Sequence, residues 1–529
     1  MTSAALQAAL DCALPGATII LKSATVYQGN FILRYRAQSS TTPLPITIQS
    51  DQYVATGTRV NPIERPTDEA SMAWLRVPAG STKPVLATEL RDVGDTTRAA
   101  ASHYRLHGIK FFTKHWVTQL VRLGTATETR RRELPKDIAF DRCYFAGSAG
   151  EGSRQGLVAN ARDIRVTNSY FKDFKDTSSD AQAIVAWNGA GPFVIANNYL
   201  EGSGQNVMFG GDDPSIRGLV PANITIVQNH FFKPIAWTTA RSTRRGSSFR
   251  QKWLIKNLFE LKNAESVRVE GNVFENNWIQ GDQQGFAIVF TPRNQDGAAP
   301  WSRVQNVEFR DNLVKNSIAG FDLVLTDGRY PSQPLARVVI ENNLLVNING
   351  DAVPRSNPGT RPGRLFQILN PISESLAIDL LVTRNTAFST REVTFSARNA
   401  TSGFTFSANV VRHNPCTAFN DCGISGNHTA PGDASLDRWF SDSIVTGNIL
   451  FDAGDTRSRD YPTGNRLPPS VTFRSDCDGS TATIDQTTGL ASGDAADYTA
   501  VGAACEPVNR GVDWARLKPL VDRAISGKP

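Results

Sequence analysis

One short pattern recurs along the chain and limits it to a repetitive β architecture. It reads apolar residue, any residue, apolar residue, two further residues, Asn, any residue, apolar residue. Ile224, Ile226, Asn229 and Phe231 show it, as do Val267, Val269, Asn272 and Phe274. It returns at Phe193 with Asn198, Val307 with Asn312, Val338 with Asn343, Leu380 with Asn385 and Phe404 with Asn409. Val445 with Asn448 keeps only the second apolar position, and degenerate copies begin at Tyr104, Ile138 and Ile164, with Ile109, Cys143 and Ser169 in the Asn place. Period-two alternation on either side of the Asn means two short strands, each sending alternate side chains inward. Asn tolerates the left-handed backbone, so each Asn is expected to turn the bend between the strands and to stack about 4.8 Å from the next in a ladder. Copies start 24 to 43 residues apart, which suits one solenoid coil with loops of variable length.

The expected fold is therefore all-β: a single right-handed parallel β-helix of about a dozen coils. Residues Ala4 to Leu14 are amphipathic and lead through Pro15-Gly16 into the strand Thr18 to Leu21. A solenoid must cover its first coil, or the open edge pairs with other chains. Residues 1–17 are thus expected as an N-terminal capping helix, 18–452 as the β-helix, and 453–529 as an irregular Cys-bearing tail with a helix near Val512 to Ile525.

Composition narrows the class of partner. Lys plus Arg exceed Asp plus Glu by 56 to 50, for a net charge of +6, while charged residues make up only 20%; an anionic partner is favoured. No nucleic-acid module is visible, no run of 18 apolar residues is present, and a monomer is expected. Met1 precedes a helical stretch rather than an apolar leader, as in a mature chain carrying an added start residue. Cys416 with Cys422, and Cys477 with Cys505, lie at spacings suited to disulfides, which favours an oxidising, extracellular compartment; Cys12 and Cys143 read as core.

A third strand per coil should precede each repeat, aligned on Asn188, Asp212, Asn263, Asn294, Asp327, Asn370 and Asn399. Four residues before these stand Ile184, Met208, Phe259, Phe290, Leu323, Phe366 and Phe395, expected to point inward in one stack. The intervening row, Trp187, Gly211, Lys262, Arg293, Thr326, Leu369 and Arg398, should then face solvent beside Phe209, Glu260, Thr291 and Gln367. The long stretch from Lys233 to Lys252 carries Trp237, Arg241, Arg244, Arg245 and Arg250, and reads as a basic flap beside that face. Trp187, Trp237, Trp278 and Trp301 are candidates for stacking on sugar rings, with Arg244, Arg245, Gln367 and Arg398 as polar contacts.

The Asn-bearing repeat, the leading helix and the coil lengths resemble the pectate-lyase-like β-helix superfamily, over nearly the whole chain. That likeness bears on fold; the superfamily includes lyases, hydrolases, epimerases, esterases and non-catalytic surface proteins. The segment Glu260-Leu261-Lys262-Asn263, followed one coil later by Arg293, resembles the Lys and Arg of the chondroitinase B and alginate lyase family. By that resemblance Lys262 is the base of a β-elimination on a uronic-acid polysaccharide, Arg293 assists the leaving oxygen or neutralises the carboxylate, and Glu260 stands beside them. The chain departs from the family in having no acid in Ile255 to Phe259, where that family holds calcium; Asp212 and Asp213 with Glu260 are the substitute calcium ligands to consider. A β-helix glycoside hydrolase would need two carboxylates about 5 to 9.5 Å apart. Glu260 and Asp322 look too far apart for that, being two coils distant and offset along the strand. A non-catalytic polysaccharide-binding or adhesion protein would use the same groove, with Glu260, Lys262 and Arg293 as a solvated ion-pair ladder.

Overall fold

The computed structural model describes all residues except 1, 39–41, 95–96, 352–362, 417–420, 455–459, 478–481, 494–495 and 529. The chain divides into two compact units, Met1–Leu258 with Arg523–Pro529, and Phe259–Asp522. Each is a stack of coils with three strands per coil, and each strand pairs in parallel with its counterpart in the next coil. In the first unit Arg162–Thr167, Tyr170–Phe174 and Gln182–Ala186 pair with Phe193–Ala196, Tyr199–Gly202 and Gln205–Phe209. In the second, Ala264–Glu270, Val273–Asn277 and Phe286–Phe290 pair with Val304–Arg310, Leu313–Ser317 and Ala319–Val324. Three parallel sheets wound in this way are a parallel β-helix, as the repeat predicts.

The ladder is present, and it explains why the coils stay in register. In the second unit Asn272, Asn312, Asn343, Asn385, Asn409 and Asn448 are buried. Each gives both its backbone N–H and its side-chain N–H to the amide oxygen of the next, at 2.9 to 3.1 Å. The series runs on to Asn465 in the tail. In the first unit Cys143 donates to Ser169, Ser169 to Asn198, and Asn198 to Asn229, so the degenerate copies occupy genuine rungs. The expectation that the ladder Asn itself turns the chain is overturned. The left-handed residue is the one before it: Asn197, Gln228, Gly271, Asp311, Asn342, Arg384, Ala408 and Gly447 all have φ between 54° and 70°. The turn one position earlier leaves the ladder Asn free to aim its amide into the coil, where buried donors and acceptors must be paired.

The helix Ser3–Cys12 buries Leu6 and Leu10. Gln7 accepts the Ile32 N–H at 2.9 Å and donates to the Ile32 carbonyl at 3.3 Å, so a side-chain amide satisfies part of the edge strand Phe31–Leu33. Both expected disulfides, Cys416–Cys422 and Cys477–Cys505, are formed, and Cys143 is buried. Cys12 is exposed rather than core, because it lies on the face of the helix opposite the one that packs. No described helix is long and apolar enough to cross a membrane.

Candidate functional site

The third sheet of the second unit begins at Phe259–Leu261, which pairs with Phe286–Phe290 so that Phe259 faces Ile288 and Leu261 faces Phe290. Phe290 then meets Leu323, and Phe321 meets Phe366. Phe259, Leu261, Phe290 and Phe366 are buried, so their inward facing holds, but they do not form one row; the expected register holds between Phe290 and Leu323 and differs by two residues at the pairings of Phe259 and of Phe366. Phe395 is a larger correction. It pairs laterally with Gln367 on the outward side, while Thr394 and Ser396 are buried inside, and the Arg364 guanidinium lies 3.6 Å from its ring centroid. The same slip occurs in the first unit. Ile184 meets Val207 and Ala186 meets Phe209, so Phe209 points in and Met208 out, against Val158 and Val185. Small polar residues inside and large apolar ones outside are what parity by hydrophobicity misreads.

Backbone hydrogen bonds continue past these strands and join the Lys262 and Arg293 segments of adjacent coils. The Leu261 carbonyl accepts the Thr291 N–H at 2.8 Å, and the Lys262 carbonyl accepts the Arg293 N–H, also at 2.8 Å. These bonds use carbonyls one residue apart and N–H groups two residues apart, so the ladder is irregular at this point and the Arg293 backbone lies against the Lys262 carbonyl. Lys262 Nζ stands 3.5 Å from Glu260 Oε1, with side-chain exposures of 17% and 2%. Arg293 Nη1 is 3.2 Å from Asp327 Oδ1 and its side chain is 36% exposed. Glu260 and Thr291, expected to face solvent, point outward yet are covered. Lys262 and Arg293 are both partly open to solvent.

Glu260 shares its outward row with Val289, Asp322 and Gln367. The expected offset between Glu260 and Asp322 is absent: they sit two strand spacings apart, roughly 10 Å, at one level. Gln367 donates to Asp322 at 3.0 Å and accepts from Arg364 at 2.6 Å, and Arg364 lies 3.4 Å from Glu392. Burial, reinforced by the Glu260 charge and opposed by the Gln367 hydrogen bond, Arg293 and Arg364, raises the Asp322 pKa to about 6. Arg364 was invisible to sequence reasoning because its strand neighbours depend on register. The Gln367 contact with Asp322 makes it a positioning group, since it is largely buried.

In the first unit the expected flap is anchored. Lys233 is wholly buried and donates through Nζ to the carbonyls of Gly202, Ser203 and Gly204. Trp237 is 3% exposed, with Lys175 over its ring, so it cannot offer a sugar platform; Trp278 in the second unit is likewise buried. Arg244 stacks 3.7 Å above the Trp116 ring and stands 3.8 Å from Asp176, whereas Arg245 is exposed. Trp187 is partly exposed and packs on Val158, Val185 and Met208. Asp212 and Asp213 lie in a turn where the Asp213 N–H donates to the Asp212 carboxylate. Arg398 is exposed opposite Asn370, one residue from the expected register. Among the described residues no three His, Cys, Asp or Glu side chains are grouped to hold a metal ion.

No protein-family model and no curated protein matches the sequence. Among solved structures, the PL6 family alginate lyase AlyGC is 12% identical at a TM-score of 0.40; the match covers 97% of this chain and 58% of that one, so this chain spans little more than half its length. A mannuronic acid specific polysaccharide family 6 lyase from human gut microbiota is 13% identical at 0.39, covering 88% and 90%. PfbA, a surface adhesin of Streptococcus pneumoniae, is 11% identical at 0.39, covering 85% and 86%. Likenesses this distant, to lyase and adhesin alike, carry no argument about activity. By the pairing of its own strands, the chain has a parallel β-helix architecture.

Proposed function

We propose that the protein acts outside the cell on an acidic polysaccharide and cleaves it by β-elimination at Lys262 and Arg293. The observation that carries this reading is the backbone pairing that sets a half-buried lysine and an accessible arginine on adjacent coils. Such a reaction needs a base for the proton next to the uronate carboxyl and a cation to hold that carboxylate. Lys262 as the free amine takes the proton; the electron pair forms the new carbon–carbon double bond and expels the glycosidic oxygen, which is protonated by solvent. Arg293 offers a planar fork to the carboxylate.

A second reading rests on a different observation. Glu260 and Asp322 stand level in one row two coils apart, and burial raises the Asp322 pKa to about 6. That separation borders on the range of inverting glycosidases, in which one carboxyl protonates the leaving oxygen and the other activates water. The products separate the two readings. Incubation with a panel of uronans, with calcium and with a chelator, should generate absorbance of the unsaturated sugar if elimination occurs, and new reducing ends without that absorbance if hydrolysis does. Lys262→Ala should lower turnover by about 10²–10⁴-fold with little change in substrate affinity. Arg293→Lys should also be severely impaired, since a point charge cannot reproduce the fork. Wild-type rates in Lys262→Ala would remove Lys262 as the base, and binding without any cleavage would leave a polysaccharide-binding protein.

A further inference from the structure

We infer that the first unit carries a separate binding site for an oxyanion-bearing sugar, in a cation-lined cavity formed by Arg36, Arg132, Lys136 and Arg162, with His103 at its wall. The cavity measures about 240 Å³, and the residues lining it include no carboxylate. That volume falls below the 300–1,000 Å³ of pockets for drug-sized ligands and suits one sugar ring with its anionic substituent.

Local backbone chemistry gathers these cations. In the first strand of consecutive coils, Ser102 pairs laterally with Lys136, and Lys136 with Arg162. Strand alternation from the buried Ile138 and Ile164 would send Lys136 and Arg162 inward. Instead the residue after each, like His103 after Ser102, is left-handed: His103, Asp137 and Asp163 have φ of 63°, 55° and 53°. Each kink turns the strand's first side chain out of the core row, and lateral spacing puts neighbours about 4.8 Å apart. Arg36 is fixed above them by donating to the carbonyls of Leu10, Asp11, Ala13 and Tyr35, which orients its guanidinium without neutralising it.

Like charges at this spacing repel unless an anion lies between them. The acids next to these cations in sequence are committed elsewhere: Asp137 to His103 at 2.9 Å and to Arg105 at 2.7 Å, Glu133 to Arg98 at 2.7 Å and Asp163 to Arg165 at 3.5 Å. Arg162 Nε is buried with no hydrogen-bond partner among the described residues. Burial, then the neighbouring Arg131 charge, lowers the Arg162 pKa, the direction expected of a guanidinium short of a counter-ion. In the second unit the corresponding position before the left-handed residue is filled by Glu265, Gln305 and Ala336, and Glu265 is neutralised by Arg303 at 2.6 Å. The uncompensated positive row therefore belongs to these coils and not to the repeat as such.

Calorimetric titration of the full-length Lys262→Ala protein would test this without contribution from turnover at the site proposed above. The probes are glucuronate, glucose 6-sulfate, inorganic sulfate and glucose. Glucuronate or glucose 6-sulfate should bind, with affinity falling as salt rises, and glucose should not. Arg162→Gln should weaken binding about 10-fold or more by removing a charge-assisted hydrogen bond; Arg132→Gln, at an exposed position, should weaken it measurably and guards against misfolding of the first variant. No binding of either anionic sugar at millimolar concentration, binding unchanged in both variants, or inorganic sulfate binding as tightly as both sugars would each overturn the proposal.

Discussion

The asparagine bend and the outward face of the third sheet are made by the same coils under opposite constraints. At the bend each coil is tied to the next by two hydrogen bonds to one buried amide oxygen, so a slip of one residue would leave several polar groups unpaired in the core. On the third sheet of the second unit no such rung repeats along the outward row, which runs Glu260, Val289, Asp322, Gln367 and Phe395. That face accommodates an irregular ladder and a change of side-chain type from coil to coil. The contrast teaches where a solenoid can vary: order is held at one bend, and chemistry is free to differ on another side of the same coil.

Breaking a rung tests the first half of that contrast and should have the largest effect. Asn312→Leu removes the acceptor for Asn272 and the donors to Asn343, Val269 and Arg310. Stability should fall by about 3–5 kcal/mol, because the remaining buried partners lose their hydrogen bonds; chemical denaturation would read the loss. A decrease below about 1 kcal/mol would mean that packing, not the ladder, holds the coils in register.

A change on the outward face should act with the opposite sign and depend on pH. The folded-state pKa of Asp322 is raised to about 6 from 3.8, so folding disfavours its charged form. Its contribution to stability therefore increases as pH falls through about 6 and is complete below about 4. Asp322→Asn should stabilise the protein at pH 8 by about 1–2 kcal/mol, after allowing for its partial exposure, and should give no gain at pH 3.5. Denaturation midpoints at the two pH values check this, and an equal gain at both would remove ionisation as the cause.

The smallest effect sharpens the account of the bend. Ala408 holds φ 54° immediately before the rung Asn409. Ala408→Gly should raise stability by about 0.5–1 kcal/mol if relief at the left-handed position exceeds the extra entropy of the unfolded chain. A loss of stability would show that the methyl group packs usefully there.

The repeat was readable because burial and hydrogen bonding both select for it: apolar residues must alternate, and the short Asn amide offers a donor and an acceptor at one height in the coil. That was enough to specify the coil, the ladder, the leading helix and the Lys262 coil as a place of unusual charge. It could not specify which residue turns the bend, since Asn, Gln, Gly, Asp, Arg and Ala all serve there, and a left-handed backbone leaves no single signature in residue type. Nor could it set the register of the third sheet, where Phe395 faces out and Ser396 in. Lateral partners such as Asp322 and Gln367 are 45 residues apart in sequence, and their meeting depends on the length of the chain between the two strands. Local pattern fixes what alternates within a coil; only stacking of the coils decides which outward side chains stand together.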